Sequence, residues 1–413
     1  MKKGFLAIIL MLVIIIGSIS GCSANSNEKV VIWHNFLDKP AEQLQQAVED
    51  YNKSIGKDLV EAKQFPSSGF MKSVNMAVKN GVGPDIVFRY PDDATDYISS
   101  NLVMDFLPYI NDEEIGIANF QDLLLPAAYN EATSYSDGKM YSLPISITGP
   151  VVYYNKTIYD ELNLQIPTTW AELYSNSKII YENKGIAGLG IDSIADVMQM
   201  LIFQSGIEYL DVENRKVLFN TDEFIEEIDF FVDAVKSKSF SVTPAGDYWH
   251  NDFNNTLVSS FIGSSASEVY LSNNVDWGVF SIPQGEELWY PLWTRSAIVF
   301  KSTAEKERDA YLFLKYLIQP EINVNFRVME ESLSPYYATG NLDSYKAQIE
   351  QSKTLPIVQD SLTISGCIPP IEGTPDIRDF LEEMIYNILN GAGIEQELSE
   401  CERRCNESLG LGE

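Results

Sequence analysis

Histidine is almost missing from this chain of 413 residues: it has two, His34 and His250, and only four cysteines. Cys401 and Cys405 stand four apart in a helix-like stretch, but no histidine or second cysteine pair completes a zinc pattern around them. Their redox state, and that of Cys367, stays open at this level. No His-Glu-x-x-His helix and no Gly-x-Ser-x-Gly elbow occurs. Positive charge is also scarce, with 29 basic against 59 acidic residues and a formal charge of −30. That balance argues against nucleic acid, because no surplus of Lys and Arg exists to displace counterions from phosphates. It reads instead as solubility. Long apolar runs are lacking too: the one from Phe5 to Ile16 is shorter than the roughly 20 residues a membrane span needs.

What is present begins with an export signal. Met1-Lys2-Lys3, the apolar run and the small residues after it form a secretory signal over residues 1–21. Its ending, Ile19-Ser20-Gly21-Cys22, resembles a bacterial lipobox. The resemblance implies that Cys22 carries a diacylglyceryl group, begins the mature lipoprotein and tethers it outside the cytoplasmic membrane. An ordinary signal peptide with an incidental cysteine is the alternative. Residues 22–29 are small and polar, as a flexible tether would be.

The length exceeds one typical core, so two domains are expected. After the tether, strand-like runs (Val30 to Trp33, Val60 to Phe65, Ile86 to Phe88) alternate with amphipathic stretches (Ala41 to Tyr51, Phe70 to Val78). Repeated βα units predict an α/β fold with mostly parallel sheets flanked by helices. Asp137-Gly138 predicts a tight turn, and the apolar run with Pro144 and Pro150 predicts extended chain. Thr157 or Asp160 is placed to cap a short helix, and Thr169 with Glu172 to cap the next. Asp376 to Leu389 reads as a C-terminal helix with an N-cap and a stop at Asn390-Gly391.

The order of turn, Leu-Pro strand, Tyr153-Tyr154-Asn155-Lys156, short helix and Pro167-Thr168-Thr169-Trp170 resembles the lobe-crossing segment of the family 1 extracellular solute-binding proteins of ABC importers. Gly81-Val82-Gly83-Pro84-Asp85 and Asp276 to Pro283 extend the likeness, which covers nearly all of the mature chain. It lies nearest the glycerol-3-phosphate-binding and maltose-binding branches. The small Ser-rich loop Ser264 to Ser267 favours the former, whereas Thr256 and Ser260 depart from the family's pattern. The resemblance implies a two-lobed, type II periplasmic-binding-protein-like fold with a hinge. Residues 30–142 and 294–333 would form the first lobe, and 143–293 and 334–413 the second.

Ligand sites favour the gap between lobes and the carboxyl ends of parallel strands. That rule selects Trp33, His34, Asn35, Ser67, Ser68, Arg89, Asp92 and Thr148 from the first half of the chain. Asp192, Ser264, Ser265 and Ser267 come from the second lobe, Trp293, Arg295 and Tyr336 from the crossings, and Arg378 from the last helix. Indole stacks on sugar faces, while Asn, Asp and Arg sort hydroxyl groups. Each has a plainer reading: core for Trp33, an ordinary bonded histidine for His34, a braced loop for Asp85, and a surface salt bridge to Asp379 or Glu382 for Arg378. Comparison with the glycerol-3-phosphate-binding branch puts Arg378 toward a polar or anionic ligand group, yet Asp192, Ser193 and Asp196 form an acidic loop that would repel phosphate.

The function expected is a lipid-anchored receptor that binds a carbohydrate or polyol derivative and delivers it unchanged to ABC permease subunits. It is expected to act as a monomer, without cofactor, metal or nucleic acid, and not as an enzyme. A sensory lipoprotein of the same fold is one alternative, and a secreted glycosidase with facing carboxylates another.

Overall fold

A computed structural model describes residues 29–66, 68–243, 248–326 and 331–410. The signal, Cys22 and Ser67 lie outside the described residues. Strand β1 (Val30–His34) buries alternate residues, and helix α1 (Asp38–Ile55) buries Leu44, Ala47, Val48 and Tyr51 at helical spacing. Strand β2 (Val60–Gln64), helix α2 (Phe70–Lys79) and strand β3 (Ile86–Arg89) repeat the unit. The Asp85 carboxylate accepts from the Val31 amide at 2.7 Å and pairs with Lys306 at 3.1 Å, which makes it a brace of this sheet.

Helix α3 (Pro126–Ala132) precedes the turn at Gly138, whose φ of 71° is the left-handed one expected for glycine there. The extended run that follows is two strands, β4 (Leu143–Thr148) and β5 (Pro150–Asn155), and they belong to different sheets. Helix α4 (Lys156–Glu161) is capped by Asn155, which accepts from the Ile158 amide, rather than by Thr157 or Asp160. The Thr169–Glu172 box caps helix α5 (Trp170–Lys184) as expected. Strand β6 (Leu189–Ile191), helix α6 (Ile194–Gln204), helix α7 (Asp222–Lys236), and strands β7 (Phe240–Val242), β8 (Ser260–Ser264) and β9 (Trp277–Ser281) follow. Strand β10 (Trp293–Val299) then carries the chain back, before helix α8 (Ala304–Leu317), helix α9 (Thr374–Leu389) and helix α10 (Ile394–Ser408).

Two five-stranded sheets result, in the orders β2-β1-β3-β10-β4 and β9-β5-β8-β6-β7. Each has a parallel portion and takes its antiparallel pairs from β10 in the first sheet and β5 in the second. Those are the strands that carry the chain between the lobes, and they enter their sheets in the reverse sense. The expected lobe boundaries shift accordingly. Residues 143–148 pair with β10 in the first sheet, so the crossing falls at Gly149 and not after residue 142. At the far end, Leu333 exchanges backbone bonds with Ile147, and the Tyr336 hydroxyl donates to the Pro144 carbonyl at 2.7 Å. The chain therefore remains on the first lobe beyond residue 334.

Helix α9 lacks the side-chain cap expected for it: Gly373 precedes it and Asp376 lies in its first turn. It packs on α6, α7 and α10. Cys401 and Cys405 are buried on α10 with their sulfurs 3.9 Å apart, unbridged, and Cys367 is also a free thiol. Among the described residues no helix is long and apolar enough to cross a membrane.

Candidate ligand-binding cleft

A cavity of about 650 Å³ opens where strand ends of both sheets face each other. The first lobe lines it with Tyr90, Pro91 and Asp92 in the turn after β3, Glu131 on α3, Thr148 at the end of β4, and Trp293 and Arg295 at the start of β10. From the second lobe come Asp192 and Ser193 after β6, Asp196 and Gln199 on α6, Ser264 at the end of β8 and Ser267 after it, and Arg378 and Glu382 on α9. The strand-end rule thus places Asp92, Thr148, Asp192, Ser264, Ser267, Trp293 and Arg295 on one cavity wall or the other, and Arg378 joins them from the last long helix but one.

Other candidates lie elsewhere. Trp33 packs its ring 4.3 Å from that of Phe65, away from the cavity. His34 is buried, accepts from the Phe36 amide through Nδ1, and is held below its ordinary pKa by that burial. Asn35 is half-buried and off the cavity wall, and Ser68 is exposed in the turn before α2. Arg89 points to Asp93, with Nε 2.9 Å from Oδ2. Ser265 is fully buried and donates to the Glu331 carbonyl. Tyr336 is spent on the Pro144 bond inside the first lobe. The ends of β1 and β2 turn into core and surface because only the strands nearer the crossings reach the gap.

Arg378 crosses from α9 to α6. It donates to Asp196, to Gln199 Oε1 at 3.1 Å and to Ser193 Oγ at 3.5 Å, so its partner is neither Asp379 nor Glu382. Over a third of its side chain remains exposed, at 36%, which leaves the guanidinium accessible from the cavity. The Arg295 guanidinium lies 3.8 Å from the centroid of the Tyr90 ring, a cation–π contact that fixes its plane. Asp192 accepts from the Trp249 amide at 2.7 Å. Burial nevertheless pushes its pKa up to about 7, with that bond opposing and Asp196 adding. Asp92 is pushed up to about 6, first by burial and then by Asp93, against the pull of Arg378 and Arg89. Gly263 has a specific role here: a Cβ on it would stand 2.8 Å from Asp192 Oδ2.

The rule missed Tyr90, Glu131, Tyr248, His250, Tyr270, Trp289 and Cys367, all of which line the cavity. Tyr248, His250 and Tyr270 form a run of near-parallel rings, with centroids 6.1 and 5.2 Å apart and planes inclined 26° and 28°. Both tyrosines are more than half exposed, at 60% and 53%. Trp289 stacks on Phe203 at 4.3 Å. His250 opens a five-residue helix, Tyr270 ends a short 3-10 helix, and Tyr248 and Trp289 lie in loops, stretches too short for periodicity to carry a signal; the one available cue was aromatics clustered between the long elements. Among the described residues no group of three or more side chains is arranged to hold a metal ion.

Comparison with known proteins places this geometry. The chain is 23% identical over 369 residues to a putative binding protein of Brucella abortus, covering 85% of each. It is 24% identical over 310 residues to the maltotriose-binding protein of Pyrococcus abyssi, covering 71% of this chain and 63% of that one. The cyclic alpha-maltosyl-1,6-maltose binding protein of Arthrobacter globiformis has the same fold, with a TM-score of 0.76 at 21% identity over 93% of this chain and 99% of that one. The profile of the family described as bacterial extracellular solute-binding protein matches residues 38–324, and with two lobes, crossing strands and an interlobe cleft the chain belongs to that family.

Proposed function

We propose that the cleft binds an oligosaccharide, and that the protein, anchored through a lipid on Cys22, passes it unchanged to the permease of an ABC importer. The observation that carries the reading is the meeting, in one cavity, of the Tyr248–His250–Tyr270 ring run and Trp289 with carboxylates, hydroxyls and two guanidiniums from both lobes. Flat rings complement the apolar faces of sugars, and charged acceptors and donors complement their hydroxyls. A volume of about 650 Å³ lies within the span of small-molecule sites, roughly 300–1,000 Å³. The names of relatives point the same way, toward maltotriose and cyclic maltosyl-maltose. Besides Glu131, four carboxyl groups line the cleft (Asp92, Asp192, Asp196 and Glu382) against Arg295 and Arg378, which disfavours a polyol phosphate.

The test is a thermal-shift and calorimetric panel of maltotriose, other oligosaccharides and glycerol 3-phosphate. A ligand at about 100 times its Kd stabilises the folded form by about 2.7 kcal/mol. An oligosaccharide should raise Tm and be recovered intact by chromatography. Absence of any oligosaccharide response would overturn the reading, and cleavage of the sugar would turn it into that of a hydrolase. Incorporation of labelled palmitate dependent on Cys22 tests the anchor.

A further inference from the structure

We propose that Glu131 presents the cleft with an uncharged carboxylic acid, a hydrogen-bond donor aimed at an oxygen atom of the ligand. The proposal rests on the reading of this cavity as the ligand site. Glu131 is 8% exposed on the inner face of α3, yet it lines the cavity; its Oε2 has no well-formed hydrogen bond, and neither has the hydroxyl of Thr294 beside it. Buried polar atoms are ordinarily bonded, so an unpartnered carboxyl oxygen on a residue of the cavity wall leaves that group free to turn its donor toward whatever fills the cavity.

The groups around it explain its charge state. Asp92 faces it from the turn after β3, Thr294 from β10, Cys367 from the segment before α9, and Tyr135 from just beyond α3. None of these is a cation. The nearby guanidiniums are engaged: Arg89 with Asp93, Arg378 with Asp196, Arg295 over Tyr90. Among the described residues no ion pair involves Glu131. A carboxylate without a counter-ion, removed from water and beside Asp92, costs more than the neutral acid. Burial accordingly pushes its pKa up to about 8, Asp92 adding and the Thr294 hydroxyl opposing. Burial and then Glu131 push the neighbouring Cys367 thiol up to about 12, so that thiol is neutral as well.

The chemical consequence is a change of role. An ionised carboxylate only accepts, whereas the acid carries an O–H donor. Ring and glycosidic oxygens of a sugar have lone pairs and no proton. Of Asp92, Asp192 and Glu131, burial raises Glu131 furthest, so it is the acid placed to recognise such an oxygen, and ionising it converts attraction into repulsion.

The experiment is a carbon-13 NMR titration of the mature chain labelled at its glutamate carboxyls, from about pH 4 to pH 10, with Glu131→Gln assigning the resonance. The expected midpoint is about 8; a midpoint near the ordinary 4.3 or so overturns the proposal. No ligand is needed for that result. In a second arm, calorimetry with maltotriose should show affinity falling about tenfold for each pH unit above the midpoint, as binding of a proton-requiring site must. Glu131→Gln, which keeps an N–H donor and cannot ionise, should lose that alkaline limb while Asp92 and Asp192 still titrate. A wild-type affinity that is flat from about pH 8 upward overturns the donor role. Silence toward maltotriose at every pH counts against the carbohydrate reading, and the NMR midpoint then decides Glu131 alone.

Discussion

Arg378 and Asp196 pair between α9 and α6, and the guanidinium also reaches Gln199 and Ser193. Removing it would take a charged donor from the cavity wall and leave Asp196, with 12% side-chain exposure, uncompensated near Asp92 and Asp192. Arg378→Ala should therefore weaken ligand binding by roughly 1.5–3 kcal/mol, the range for hydrogen bonds to charged groups. Arg378→Lys should recover only part, since a point charge cannot reproduce the fork. Calorimetry measures both, and an unchanged affinity would reduce Arg378 to a brace between helices. Gly149 answers to a different constraint, at the point where the chain leaves the first sheet. A Cβ there would stand 2.3 Å from the hydroxyl of Tyr290, which is fully buried and donates to Pro150 O at 2.8 Å. Gly149→Ala should cost about 1–3 kcal/mol by overpacking, read as a lower Tm.

Helix α5 shows what local chemistry contributes. Thr169 Oγ1 accepts from the Glu172 amide at 3.2 Å, and Glu172 Oε2 accepts from the amides of Thr168 and Thr169 at 2.8 and 3.3 Å. Those amides, with the Thr168 hydroxyl, hold the Glu172 pKa below its ordinary value. Thr169→Ala should lower stability by about 1 kcal/mol in denaturant melts, with the slope of the transition unchanged. This box was legible in the sequence because its partners are three residues apart. So were the βα units of the first lobe, whose apolar spacing fixes a face. The sheet membership of Leu143–Thr148 was not, because its neighbour β10 lies some 150 residues downstream and either lobe offers an apolar place. The strand-end rule did not bring Trp33 and His34 to the cavity wall for a related reason: β1 lies beyond β3 in the sheet order, one place further from the crossing strands. Glu131 was hidden differently. A lone glutamate in Pro126–Ala132 looks like any solvated helix residue until burial and the missing partner are known.

Across the whole molecule, four cavity acids share one sign of shift: burial raises Asp92, Asp192 and Glu131 to about 6, 7 and 8, and raises Glu382 as well. Carboxyls with raised folded values bind more protons folded than unfolded between about pH 4 and those values, so their contribution is present at low pH and is lost as pH rises. The ligand-free protein should consequently lose stability from about pH 5 to pH 8, with Tm falling by roughly 5 °C or more. Scanning calorimetry across that range checks it, and a Tm that rises over the interval would contradict the assignment of these acids. The lowered acids Glu172 and Glu400 are exposed and act below this window.

The same cleft defines how the lobes should respond to ligand. The chain passes between them at Gly149 and just before β10, and again beyond Tyr336, while each sheet is held by its own ladder. Motion is therefore cheapest at those passes, and a ligand touching both walls favours the closed arrangement by its differential affinity. Trp289 and Trp293 lie on the cavity wall and would lose water on closure, whereas Trp33, stacked on Phe65 outside it, would not. Saturating oligosaccharide should blue-shift the emission, and the shift should be lost in a Trp289→Phe, Trp293→Phe double variant and kept in Trp33→Phe. A shift that survives the double variant would place the change in solvation somewhere other than this cleft.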